Sequence, residues 1–183
     1  MDSLVVMALP MESQGQFDDI PVLYTGVGKV NAAYHLARII HTKRPHAVIN
    51  LGSAGSPVHC AGELVCCTHF IQRDMDVQPL GFSPFQTPFE DHPTILHNGL
   101  PVPGLPAYTC GTGDSFAINA DGRDYHVLDM EAYALAKLCH MESIPFTCIK
   151  YISDGADGKA FADWEQSLKV GAGLLRQMYD RIG

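Results

Sequence analysis

Three carboxylates stand just past short apolar runs. Glu12 follows the run Leu4 to Leu9 across Pro10, Glu131 opens a helical pattern after an apolar stretch, and Asp154 follows Cys148-Ile149-Lys150-Tyr151-Ile152. Carboxyl groups held in place can give a proton to a leaving group or take one from water. Each also has an ordinary explanation. Glu12 and Glu131 fit the first turn of a helix, where the dipole favours negative charge, and Asp154 could close the next turn. Two small-residue turns accompany them, Ser53-Ala54-Gly55 and Gly113-Asp114. Such turns let backbone approach a ligand closely. Carboxylates and turns together at one rim describe a site better than any of them does alone.

The elements that must hold this rim are read from hydrophobic periodicity. Short apolar runs at 4–9, 21–25, 47–51, 63–71, 107–110 and 145–152 are expected to be strands. Val30, Ala33, Leu36, Ala37 and Ile40 recur at helical spacing, and Pro45 ends that helix after Lys43-Arg44. A second helix begins near Met130, and a third runs from about Asp163 to Arg181. Residues 73–106 are rich in Pro, Gly, Phe and His and show little periodicity, which implies a long functional or oligomer-forming loop. Strands alternating with helices point to an α/β fold with a mostly parallel sheet covered on both faces. In such folds ligands bind beyond the carboxyl ends of strands, where the polar residues above fall.

Length and composition narrow the function classes. A chain of 183 residues with 46 % hydrophobic and 17 % charged residues fits one globular domain over 1–183. The formal charge of −8 and twelve scattered Lys and Arg argue against nucleic acid as a partner. No apolar run reaches the ~18 residues of a membrane helix, and Met1-Asp2-Ser3 has no basic leader, so a soluble cytoplasmic protein is expected. Six cysteines include no Cys-x-x-Cys pair and read as small buried hydrophobes. Neighbouring Cys66 and Cys67 should point to opposite faces of a strand. The nine histidines lack ligand spacing, so no metal is indicated. Neither a Gly-x-Gly-x-x-Gly nor a Walker pattern is present, so no nucleotide cofactor is indicated either.

Seven segments in order resemble the purine nucleoside phosphorylase and methylthioadenosine/adenosylhomocysteine nucleosidase superfamily. They are 8–12, 26–33 (Gly-Val-Gly-Lys-Val-Asn-Ala-Ala), 50–55 (Asn-Leu-Gly-Ser-Ala-Gly), 73–77 (Arg-Asp-Met-Asp-Val), 113–116 (Gly-Asp-Ser-Phe), 129–132 (Asp-Met-Glu-Ala) and 152–157 (Ile-Ser-Asp-Gly-Ala-Asp). The resemblance implies a single-domain, three-layer α/β fold with a central mixed, twisted sheet flanked by helices. It places Asp154 as the acid on the purine ring nitrogen, Glu131 on the ribose hydroxyls and Met130 under the sugar. Phe116 stacks on the base, Ser53, Ala54 and Val27 line the pocket, and Phe161 matches a lid aromatic. No cofactor is implied. The expected partners are a small-molecule purine nucleoside and a second copy of the chain, because the apolar stretch Leu80-Gly81-Phe82-Ser83-Pro84-Phe85 lies where the family reaches a neighbouring subunit.

The resemblance also bears on the nucleophile. Phosphorylases of the superfamily carry phosphate-binding arginines where this chain has Glu12 and Asn50. A carboxylate repels phosphate but can orient and deprotonate water. The expectation is therefore a purine nucleosidase, with water activated by Glu12. A phosphorylase, a futalosine-type hydrolase and an inactive nucleoside-binding protein are the alternatives. Departures from the family pattern are the short span between Glu12 and Gly26, Ala117 after Phe116, and Lys150 where nucleosidases tend to have arginine.

Overall fold

Runs rich in Val, Ile, Leu and Cys form the strands, as their length and branching favour. The computed structural model describes residues 3–116, 124–156 and 160–182, without the side chains of 160–163, 165 and 166. Its strands are β1 (Leu4–Met7), β2 (Val22–Tyr24), β3 (Val48–Gly55), β4 (Leu64–Gln72), β5 (Ala107–Thr112), β6 (Val127–Asp129) and β7 (Phe146–Asp154). The helices are α1 (Pro10–Ser13), α2 (Lys29–Lys43), α3 (Ala132–Met141) and α4 (Ala160–Ile182). The apolar run Leu64–Gln72 is a single strand, and its adjacent thiols part as expected: Cys67 enters one core and Cys66 the other. Cys60 departs from the expectation of buried cysteines, for it is exposed.

Five of the seven strand pairings are parallel, but β4 runs antiparallel to β7, and β6 to β3. The sheet is therefore mixed, as the resemblance implies and as a simple β–α alternation does not. The pairings close a ring, β3-β6-β5-β4-β7-β3, with β1 and β2 extending it beside β3. Closure depends on β6, three residues that periodicity does not single out. It pairs with Gly55 through Leu128 and with β5 through Val127, Leu128 and Asp129.

Apolar side chains fill both faces of the sheet. Ala32, Leu36 and Ile40 of α2 and Leu135, Ala136 and Cys139 of α3 share one core with Val48, Cys148 and Phe146. On the other face, Leu175 and Met178 of α4 pack with Phe17, Ile49, Leu51 and Tyr151. Gly171 lets α4 lie close, since a Cβ there would meet the Tyr151 ring at 2.7 Å. Among the described residues no helix is long and apolar enough to cross a membrane.

The 73–106 segment has little regular structure beyond a 3₁₀ turn at Gln78–Leu80, in keeping with its composition. It is nevertheless tied to the sheet. Leu96 bridges Phe70, and Gly99 bridges Phe146. Gly99 sits so close that a Cβ would lie 2.4 Å from the Cys67 carbonyl oxygen and 2.6 Å from Thr68 Cα. Gly99→Ala therefore has to push backbone apart, and chemical denaturation is expected to register a loss of about 1–3 kcal/mol.

Candidate active site

β1, β3 and β7 run parallel and end at one rim, and the residues at or just past each strand end supply a polar group. After β1, Pro10 starts the one-turn helix α1 and brings Glu12 back over the end of β3. Glu12 is buried. Its Oε2 accepts the Leu9 N–H at 3.0 Å, and its Oε1 accepts both the N–H and the hydroxyl of Ser53, at 3.0 and 2.7 Å. The helix-start explanation and the site explanation both hold, one on each oxygen. Ser53 and Ala54 belong to β3 rather than to a loop beyond it, because β7 pairs with β3 as far as Gly55.

Asp154 ends β7 next to a register shift between Ala54 and Gly55. Its Oδ2 accepts the Ser153 hydroxyl at 2.7 Å, and Oδ1 accepts the Ala156 N–H at 2.9 Å. Gly55 makes room for it, since a Cβ there would lie 2.7 Å from Oδ1. Glu131 comes after β6 as the N-cap residue of α3 and accepts the Gly28 N–H at 2.8 Å. Gly28, with φ +95°, turns the chain there, and Asp114 accepts the next N–H, that of Lys29, at 2.8 Å. These two bonds hold the Gly26-Val27-Gly28 turn over the site.

A cavity of about 240 Å³ opens between these elements. Glu12, Val27, Ser53, Ala54, Phe116, Met130, Glu131 and Asp154 all line it. The Phe161 side chain lies outside the described residues. Arg73 and Trp164 also line the cavity, and sequence reasoning misses both as site residues. Arg73 is visible in the sequence only as part of a motif, and Trp164 only as a member of a helical stripe. The Arg73 guanidinium donates to the Gly113 and Ser115 carbonyls and lies across Gly113, where a Cβ would fall 2.8 Å from its Cζ. Asn50 does not line the cavity. It points away from the cavity into the sheet, giving its Nδ2 proton to the Val6 carbonyl at 3.1 Å and taking the Cys148 thiol at 3.3 Å. Alternation along β3 sends Asn50 and Ser53 to opposite faces.

Behind the cavity lies a buried ion pair. Lys150 Nζ donates to Asp129 Oδ2 at 2.8 Å, with both side chains almost wholly enclosed. Asp129 also accepts the Thr112 hydroxyl at 2.5 Å and the Ala132 N–H at 2.8 Å. Burial opposes both charges, but each partner offsets it for the other. Asp129 is held below the usual carboxylate range and Lys150 well above the usual ammonium range. Among the described residues no cation pairs with Glu131 at contact. Burial, reinforced by the Asp129 charge, pushes its carboxyl up to about 8.

The sequence profile of the Phosphorylase superfamily matches residues 14–111. The chain belongs to the phosphorylase superfamily. A 5'-methylthioadenosine/S-adenosylhomocysteine nucleosidase of Haemophilus influenzae (strain PittEE) is 29 % identical over 208 residues, covering 99 % of this chain and 90 % of the relative. A nucleosidase of the same name from Anoxybacillus flavithermus (strain DSM 21510 / WK1) is 30 % identical over 179 residues, covering 84 % and 75 %. A solved Helicobacter pylori nucleosidase of that name shares the fold, with a TM-score of 0.88 at 18 % identity, covering 99 % of this chain and 97 % of that one. In this member of the superfamily, Lys150 and Asp129 form the buried base of the site.

These charges have two measurable consequences. Lys150→Met leaves Asp129 buried without its counter-charge, and denaturant unfolding is expected to show a loss of about 3–5 kcal/mol. Glu131 binds its proton more tightly folded than unfolded, so ionising it opposes folding. Its contribution is therefore a loss of stability as pH rises from the ordinary 4.5 to about 8. Melting temperatures measured across that window are expected to fall more steeply for the parent than for Glu131→Gln.

Proposed function

We propose that this protein is a purine nucleosidase, which hydrolyses the N-glycosidic bond of a 5'-substituted purine nucleoside of the methylthioadenosine or adenosylhomocysteine class. The observation that carries this is the meeting of Glu12, Glu131 and Asp154 around one cavity, with a carboxylate seated on Ser53. The names of the Haemophilus and Anoxybacillus relatives support the substrate class.

The roles rest on what each group can reach. Asp154, protonated, gives its proton to a purine ring nitrogen, so the base leaves as a neutral molecule. The bond between the anomeric carbon and the base nitrogen breaks ahead of attack, and positive charge grows on the sugar. Glu131 hydrogen-bonds the ribose hydroxyls and holds the sugar in place as the oxocarbenium character grows. Water held by Glu12 forms the new bond from its oxygen to the anomeric carbon and passes its proton to Glu12. Met130 and Val27 pack on the sugar, Phe116 stacks on the base, and Ser53 and Ala54 close the wall. Phe161 is proposed as a lid aromatic.

A phosphate nucleophile would have to approach the Glu12 carboxylate, and like charges at contact repel. Exposed Leu80 and Phe89, with Phe82 edge-on to Phe89, support a homodimer built through this segment. Five buried thiols support a reducing, cytoplasmic setting.

The test is release of free base from methylthioadenosine, adenosylhomocysteine, adenosine, inosine and a futalosine-type compound, each with and without phosphate. Release independent of phosphate is expected, slowed about 10²–10⁴-fold in both Asp154→Asn and Glu12→Gln. Release only with phosphate would overturn the assignment of water as nucleophile. No release from folded protein would leave a binding role.

A further inference from the structure

Helix α4 covers the back of the site, and its one tryptophan reaches into it. Trp164 lines the cavity, and its indole Nε1 donates to Ser53 Oγ at 2.8 Å. The same oxygen lies 2.7 Å from Glu12 Oε1. An indole N–H can only donate, and a serine hydroxyl has a single proton. With Trp164 as donor, Ser53 Oγ must accept from it and point its own proton at Glu12. The hydroxyl is thereby locked in one rotamer, and Oε1 receives two donors from one residue, the Ser53 N–H being the other.

Further along α4, Leu168, Gly171, Ala172 and Leu175 enclose a small void of about 10 Å³ together with Glu12, Ser53 and Tyr151. Glu12 and Ser53 thus rest against α4 over several turns, and Trp164 is the polar contact at the end of that seam. We propose that Trp164 is a positioning residue, which aims the water-activating face of Glu12 by fixing the Ser53 hydroxyl and so ties the geometry of Glu12 to the docking of α4. This rests on the nucleosidase reading, in which Glu12 handles the attacking water.

The coupling makes a distinctive kinetic pattern. Trp164→Phe keeps an aromatic ring at this position and removes the indole N–H donor. Its kcat is expected to fall about tenfold with KM changed less than about twofold, because the lost alignment acts on the attacking water rather than on nucleoside binding. In a Ser53→Ala background the same substitution is expected to leave kcat unchanged, since the chain of bonds is already broken. Because Trp164 is the single tryptophan, its emission also reports the site directly, and Ser53→Ala is expected to shift it in the unliganded protein.

An equal fall in kcat in both backgrounds would reduce Trp164 to packing and overturn the proposal, as would an unaffected Trp164→Phe enzyme. Wild-type turnover on the same nucleosides separates the two levels. An active wild type with additive variants defeats the coupling alone, while a wild type that releases no base defeats the hydrolytic reading and the coupling together.

Discussion

The Lys150 ammonium is enclosed in protein and must be matched there, and the way it is matched joins the sheet to the site. Its partner Asp129 is bonded at the same time to the Thr112 hydroxyl and the Ala132 N–H, and Thr112 in turn accepts the Tyr133 N–H at 2.9 Å. One carboxylate therefore links β7, β5, β6 and the start of α3. An unpaired charge in this position would carry a heavy desolvation cost, so the group is held in one arrangement. That arrangement aims the next two residues, Met130 and Glu131, into the cavity. The Lys150 ammonium meets its counter-charge directly in Asp129.

The same charges divide labour around the cavity. Asp129 stays ionised beside Lys150, and Glu131, a short step along the chain, meets burial and the Asp129 charge with the Gly28 N–H against its carboxyl. Each of the three site carboxylates also closes nearby backbone: Glu12 the start of α1, Asp154 the turn to Ala156, and Glu131 the Gly28 turn. These local bonds hold the three side chains where they line the cavity.

Much of the scaffold was legible from pattern. Short apolar runs marked six of the strands, and helical spacing marked α2, α3 and α4, because each element buries one stripe or both faces and its composition records that. Small shifts at the ends came from tertiary pairing. β3 continues through Gly52-Ser53-Ala54-Gly55 because β7 lies alongside to accept its hydrogen bonds. The short strand β6 left no mark of its own, since three residues are too few to carry a period. Exposure of Cys60 and the inward turn of Asn50 were likewise set by where the chain lay, not by residue type.

By itself the sequence determined the family, the alternation of strands and helices, and the three carboxylates with their small-residue turns. These are encoded in residue type and order along the chain. Only the tertiary structure decided that β6 closes the ring and carries Glu131 to Asp154, that Asn50 bonds within the sheet, and that Trp164 bonds Ser53 at the cavity. The physical reason is distance along the chain. Ser53 and Trp164 are separated by 111 residues, and Gly28 and Glu131 by 103, so no local pattern records their contact. Those contacts come with the burial of the sheet on both faces, which brings distant parts of the chain together.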